Sequence, residues 1–337
     1  MTSHSPLLLL LSLCPAFAIQ AAEPRFAVKQ DAHGFSVSVE GKPFATYWLD
    51  QCNKPCLWPV YGPTGKAMTR AFPMQEVEYE AKSQRDHYHH RGLTFGHDNV
   101  GGWDTWSEAG SYGPPPADPA KGAAREQRLA KLGTIRHKSF TETKAADDKA
   151  VVAEVCEYVG TDGRRFLTEE RRLTFRADGE TRSIDFEQDL IATDGDVTFE
   201  DKKDAGLSIR VPASMAVDAK LGGAIVNSDG IADKEAWSKA AKWCDYNGPV
   251  EGEHLGIAFL NHPSSFRYPT RWHVRTYGLF TANPFASSAY DKALPDGTTV
   301  IKSGERLKLR HRFLFHKGDA AAAQIEKAYE AYAKESR

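Results

Sequence analysis

The chain has 337 residues, with 43 basic and 45 acidic side chains and a formal charge of −2. That near-balance excludes a general nucleic-acid binder, which needs a basic excess or stripe. Charged residues at 26% and hydrophobic ones at 41% suit a globular protein with a sizeable core, and exclude collagen, coiled coil and disorder.

The chain opens on an apolar segment in which residues 7–13 carry six leucines and small apolar residues continue to Ala22. Its apolar length, about 13 residues, falls short of the roughly 20 that a spanning helix needs. Ala16-Phe-Ala18 and Ala21-Ala22 both offer cleavage sites, so residues 1–22 are expected to be a signal peptide and the mature protein periplasmic or secreted. No second apolar span follows, and integral membrane association is not expected. Cys14 leaves with the leader. Cys52, Cys56, Cys156 and Cys244 remain, an even count that allows up to two disulfides in an oxidising compartment. Cys52-Asn-Lys-Pro-Cys56 can close a tight loop. With no second close pair of cysteines it makes a poor zinc site.

After the leader the chain reads as strands. Short β-rich runs at 26–28, 35–39 and 44–49 are punctuated by Asp31-Ala-His-Gly34 and Glu40-Gly-Lys-Pro43, which read as hairpin turns. Longer runs at 151–159, 166–175 and 182–191 alternate with turns at 160–163, 177–180 and 193–196. Leu173, Phe175, Ile184, Phe186 and Leu190 sit on one parity between polar neighbours, the period-2 pattern of half-buried antiparallel strands. Helix is scarce: Asp319 is expected to open one over 320–334, and 123–132 reads as a second, shorter one. The expected architecture is all-β: one large antiparallel β-sandwich domain over residues 23–337, closed by a short C-terminal helix.

Three patches carry chemistry. Four of the 12 histidines fall in Asp86-His-Tyr-His-His-Arg-Gly-Leu-Thr-Phe-Gly-His97. If the segment is extended, His87 and His89 share a face and His90 takes the other. Such a cluster suits a metal site with Asp86 as ligand or acceptor, an acid–base site with Arg91 beside it, or a hydrogen-bonded structural knot. The second patch is Gly101-Gly-Trp-Asp-Thr-Trp-Ser-Glu108. Indoles beside glycines in a loop suit stacking on a sugar ring, and Glu108 and Asp104 bring carboxylates near the histidines. In the third, Trp272-His-Val-Arg-Thr-Tyr-Gly278, alternation puts His273, Arg275 and Tyr277 on one face of an extended chain. A row of such side chains is costly to bury unpaired and points to a polar cleft. A fourth run, Glu200-Asp-Lys-Lys-Asp-Ala-Gly206, reads as a solvated turn.

Taken in order, Asp86-His-x-His-His-Arg-Gly92, Trp103-x-x-Trp-x-Glu108, Trp272-His-Val-Arg-x-Tyr-Gly278 with Asn283-Pro-Phe285, and the closing Gly304-Glu, Arg310-x-Arg312 and His316-x-Gly318 resemble a bacterial family. It is that of secreted proteins called the methane oxygenase PmoA family, a domain of unknown function. The resemblance spans residues 40–330. The name points to integral membrane subunits, which this chain's lack of a second span does not fit. What the resemblance implies is carbohydrate catabolism, without a catalytic residue. The strand run over 166–212 is also similar to the galactose-mutarotase-like supersandwich of aldose-1-epimerases and related lyases, which implies histidine and carboxylate pairs moving protons at a sugar carbon.

The expected function is an exported carbohydrate-active enzyme, an epimerase, lyase or atypical glycoside hydrolase. His90, His97 and His273 are the candidate acid–base groups, with Glu108 as carboxylate partner. Arg91 and Arg275 would stabilise an oxyanion or enolate. Trp103 and Trp106 would form a stacking platform, and His87, His89, Tyr277 and Asn283 complete the substrate-binding set. The expected partner is a carbohydrate, with no cofactor, no committed metal ligand and no nucleic acid. Two alternatives stay open: a non-catalytic glycan-binding protein, and a copper or zinc protein centred on His87, His89 and His97.

Overall fold

Hairpin turns and period-2 runs build the architecture from its first strands onward. A computed structural model describes Met1 and residues 24–336, so the expected signal segment lies outside the described residues except for Met1. The first strands are β1 (Phe26–Asp31), β2 (Gly34–Val39), β3 (Lys42–Trp48), β4 (Cys56–Val60) and β5 (Leu93–His97). After helix α1 (Pro119–Leu129) come the long strands β6 (Thr134–Ala145), β7 (Ala150–Val159), β8 (Arg165–Ala177) and β9 (Arg182–Ile191). The short β10 (Val197–Phe199), β11 (Ala205–Arg210), β12 (Ala224–Asn227), β13 (Trp243–Val250) and β14 (Glu253–Asn261) follow. The chain then forms β15 (Arg271–Val274), β16 (Leu279–Asn283), β17 (Thr299–Ile301), β18 (Arg306–Lys317) and helix α2 (Ile325–Tyr332).

Two eight-stranded antiparallel sheets result, one ordered β1-β2-β3-β4-β5-β11-β16-β15 and the other β12-β13-β14-β18-β9-β8-β7-β6. Each side chain on the parity of Leu173, Phe175, Ile184 and Phe186 meets the first sheet, where Phe35, Phe44, Leu93, Phe95 and Leu207 point back at it. Phe175 joins the layers edge-on, its ring centroid 6.2 Å from Phe35 and 5.5 Å from Phe44. Burying each such ring stabilises the fold by about 1.5–3 kcal/mol. The all-β sandwich is therefore as the alternation dictates.

The helices differ in their bounds. α1 starts at Pro119 rather than 123, because the Asp118 carboxylate accepts from Ala120 N and Lys121 N and proline occupies the first helical position. α2 starts later than expected. Asp319 Oδ1 caps Ala322 N in a preceding turn, and the left-handed Gln324 separates that turn from the helix. α2 then lays Ile325, Tyr329 and Tyr332 over Trp243, Leu260 and Leu314 on the outer face of the second sheet. Cys52, Cys56, Cys156 and Cys244 are all free thiols, and Cys156 and Cys244 are core residues.

Candidate active site on the outer face of the first sheet

Register decides which residues face outward. Across β5, β11, β16 and β15, Thr94, Ser208, Thr281 and His273 stand directly opposite one another. Their neighbours Phe95, Leu207, Phe280 and Trp272 point into the core. His97 has the parity of Leu93 and Phe95, and so it lies inside the sandwich rather than with His90. It is fully buried, edge-on to Phe199 and Phe285 at 5.2 Å each, with Nδ1 accepting from Asn99 N. Burial holds it down at about 3.

The other three histidines of the cluster come together because the segment turns. His87 adopts a left-handed backbone (φ 45°), and His90 N donates to His87 O at 3.0 Å. Gly92, also left-handed at φ 58°, then turns the chain into β5 where a Cβ would meet Leu57 O at 2.2 Å. The expectation for an extended segment does not apply: His87 and His90 stack, with centroids 4.8 Å apart and planes within 1°. Tyr277 stacks on His87 at 5.0 Å. His89 meets His90 edge-on at 4.5 Å, and Trp106 lies 5.8 Å from His90.

Asp86 anchors this stack. Its Oδ1 accepts from Arg70 and Arg210 at 2.7 Å each, and its Oδ2 pairs with His87 Nδ1 at 2.7 Å. Burial pushes its carboxyl up, but the His87 hydrogen bond and the charges of Arg210 and Arg70 outweigh that and leave it well below the usual range. Two buried arginines thus share one carboxylate. Burial, and then Arg210, bring Arg70 down to about 10. Arg210 also donates to His90 Nδ1 at 3.0 Å. A guanidinium only donates, so His90 Nδ1 carries the lone pair and Nε2 the proton. Burial, with His89 and Arg210 adding to it, keeps that ring neutral. His89 bonds Ser111 Oγ at 2.9 Å and is lowered to about 3, first by burial and then by Lys54.

The third patch continues the same face. Arg275 sits 5.5 Å from the Tyr277 ring and 5.7 Å from the Trp237 ring. Trp237 and Tyr290 flank His273 at 6.3 and 5.9 Å. His273 Nδ1–H donates to Lys203 O at 2.6 Å, which fixes the tautomer and leaves Nε2 as an acceptor. Burial lowers it to about 4, with Lys203 and Arg275 adding to that while Asp204 and the Lys203 carbonyl oppose it. A continuous series of ring and guanidinium contacts therefore runs from Trp106 through His89, His90, His87, Tyr277, Arg275 and Trp237 to His273.

Other expected residues hold the frame. Glu108 takes both carboxylate oxygens to Arg91 Nε at 3.0 Å, so these two neutralise each other, and Arg91 lies over Tyr88 at 4.8 Å. Asn283 donates to Lys202 O, Lys203 O and Tyr290 Oη and accepts from Phe285 N and Ala286 N, which positions the carbonyl that orients His273. The 200–206 run is built into this frame and is no solvated turn. Asp201 accepts from the backbone of Ser287, Ser288, Ala289 and Gly297. Trp103 parts from Trp106: it packs on Gly160 and under Lys131, beside a depression of about 630 Å³ near Phe166. Among the described residues no three His, Cys, Asp or Glu side chains converge as a metal-holding group.

Sequence reading missed Arg70, Arg210, Trp237 and Tyr290. Arg210 had a signal, as an arginine closing the apolar strand Ala205-Gly-Leu-Ser-Ile-Arg210. A wide depression of about 900 Å³ lies elsewhere, on the outer face of the second sheet between Lys149, Glu170, Arg172 and Asp189. Its lining holds no histidine, so volume does not follow chemistry here. The shared carboxylate gives a direct expectation. Asp86→Asn should cost about 1.5–3 kcal/mol in urea denaturation, by leaving Arg70 and Arg210 facing each other. His87→Ala should cost less than that.

The chain belongs to a family of unknown function (DUF6807), whose profile matches residues 34–330. Among curated proteins no relative matches. Among solved structures it is similar to a galactose mutarotase-like protein from Clostridium acetobutylicum at 9% identity and a TM-score of 0.39, covering 88% of this chain and 99% of that one. A galactose 1-epimerase from Lactobacillus acidophilus matches at 8% and 0.36, covering 88% and 99%. An alpha-galactosidase from Lactobacillus brevis matches at 9% and 0.41, covering 93% of this chain and 43% of that one. At such values the likeness does not extend to chemistry. No helix among the described residues is long and apolar enough to cross a membrane.

Proposed function

We propose that the protein is an exported carbohydrate-active enzyme that moves a proton at a carbon of an acidic sugar. The observation that carries this reading is that His273 and Arg275 both pack against Trp237 on one face of the first sheet. His273 is locked by the Lys203 carbonyl so that Nε2 is a neutral acceptor. The Arg275 guanidinium lies against the rings of Trp237 and Tyr277. A sugar carboxylate drawn to Arg275 would acidify the hydrogen on the adjacent carbon and offset the cation that depresses His273. That combination serves epimerisation or β-elimination rather than water-mediated hydrolysis. Trp106 borders this face beside His90, and the Arg70–Asp86–Arg210 group adds net positive charge to it. His90, with its proton on Nε2, serves as a hydrogen-bond donor to a sugar oxygen.

The test is turnover on a panel of uronate-containing glycans, read by absorbance of unsaturated product and by loss of deuterium label at the carbon next to the carboxylate. His273→Gln should lower kcat by about 10²–10⁴-fold with the fold intact. Binding without product, unaffected by His273→Gln, would instead favour a glycan-binding protein. Neutral glycans turned over in preference to acidic ones would remove the role given to Arg275.

A further inference from the structure

The loop between β3 and β4 carries chemistry that the aromatic face does not use. Cys56 opens β4, opposite Trp48 in the ladder, and is buried, while Cys52 is half-buried. The two thiols are neighbours that influence each other's ionisation, and Cys52 Sγ donates to Lys54 O at 3.0 Å. Between them stand Asn53 and Lys54, and these grip the neighbouring loop. Lys54 Nζ donates to Trp106 O at 2.7 Å, and Asn53 Nδ2 donates to Ser107 O at 2.8 Å and Gly133 O at 2.9 Å. The segment bearing Trp106 and Glu108 is therefore tied to the few residues that the two sulfurs enclose.

We propose that Cys52 and Cys56 are a thiol–disulfide redox site, oxidised by an external disulfide, whose closure tightens the loop that carries Trp106 and Glu108. The Cys52 thiolate attacks the external disulfide and displaces one thiolate, which takes up a proton. Cys56 then loses its proton and its sulfur displaces the second thiol from Cys52, leaving the intramolecular bond. The chain gives up two protons and two electrons, and the external disulfide becomes two thiols.

The environments of the two sulfurs suit these roles. The neighbouring Cys56 thiol, set against burial and helped by the Lys54 charge, brings Cys52 down to about 7, so at neutral pH much of it is the attacking thiolate. The same neighbour relation and burial push Cys56 up, as befits the resolving thiol that is deprotonated last. Cys156 and Cys244 serve as internal controls, since both are core residues whose thiols burial pushes up. The inference does not depend on what the aromatic face binds.

The test uses the full chain, reduced with dithiothreitol, desalted and exposed to glutathione disulfide. Intact mass should fall by two hydrogens, and non-reducing peptide mapping should place the bond between Cys52 and Cys56. Cys56→Ser should stop at a glutathione adduct on Cys52. In the reduced wild type, the alkylation rate of Cys52 by iodoacetamide should reach half its maximum near pH 7, and Cys56→Ala should move that midpoint upward. Oxidation should slow amide hydrogen exchange over residues 104–108 at least several-fold, reversibly with dithiothreitol. A stable glutathione adduct on the wild type, or no reaction at Cys52, would overturn the redox site. A bond that leaves exchange over 104–108 unchanged would overturn its coupling to the loop.

Discussion

Arg171→Met should lower the stability of the protein by roughly 3–5 kcal/mol, a large share of the about 5–15 kcal/mol that holds a domain folded. Arg171 lies inside the sandwich, on β8, with 1% of its side chain exposed. Its Nε and Nη2 engage Glu169 at 2.6 and 3.0 Å, and its Nη1 reaches Tyr47 Oη and, at 3.5 Å, Glu154. Tyr158 donates to Glu169 at 2.7 Å and Gln188 donates to it at 3.0 Å, while Tyr47 donates to Glu154 and His137 pairs with it at 2.6 Å. One guanidinium thus compensates two carboxylates in a layer otherwise filled by Phe186, Phe175 and Leu173. Methionine keeps much of the volume and removes the charge, so the loss measured is that of compensation rather than of packing. In urea unfolding the midpoint should fall with the slope unchanged. Adding Glu169→Gln to Arg171→Met should recover part of the loss, because the stranded charge goes with it. A shift below about 1 kcal/mol would mean that water replaces the guanidinium, and that the network is not dry.

That network is legible in the chain once strand parity is read through its charges. Glu169-Glu-Arg-Arg172 reads as four charges in a row, with no face preferred. Yet Leu167, Leu173 and Phe175 share the parity of Glu169 and Arg171, so period 2 already places that pair inside and Glu170 and Arg172 outside. The same rule places His97 in the core with Leu93 and Phe95. It carried the fold because strands in a sandwich alternate whatever their partners. The candidate site depends on what alternation does not encode. The stacking of His87 on His90 needs a left-handed residue in a turn, and the bridge from Arg210 to Asp86 spans 124 residues of sequence. Trp103 and Trp106 separate because Asp104 Oδ1 accepts from both Trp106 N and Ser107 N and folds the loop between the two indoles. Trp237 sits in a polar stretch with no periodic signal, and only the fold brings it over Arg275.

Acid should unfold this protein from well above the range in which carboxylates protonate, with a midpoint near pH 5. Four buried rings and the half-buried His89 set this expectation. His89, His97 and His311 are held at about 3 and His273 at about 4, while His90 is also far below its usual value, in every case chiefly by burial. Each ring takes up a proton in the unfolded chain as pH falls through 6.5 but stays neutral in the folded one. The unfolded state therefore binds more protons across that window, and stability is complete above 6.5 and lost as pH falls toward the folded values. Each ring contributes a slope of roughly 1.4 kcal/mol per pH unit, so five acting together reach about 7 kcal/mol per unit at most. Carboxylates held low, such as Asp86, Asp185 and Asp201, add their loss only below about 4. His316 runs the other way. Its bond to Asp245 raises it, so its contribution is full below 6.5 and fades only as pH rises through its folded value. A pH titration followed by near-ultraviolet circular dichroism checks the midpoint. His311→Phe isolates one ring, since His311 Nδ1 is buried without a partner and the ring sits 5.4 Å from Phe259. That variant should gain stability relative to the wild type as pH falls below 6.5 and should take up about one proton fewer on acid unfolding. A midpoint below pH 4 would mean that these rings ionise inside the folded protein, and that the histidines facing Arg210 and Arg275 are better solvated than their packing implies.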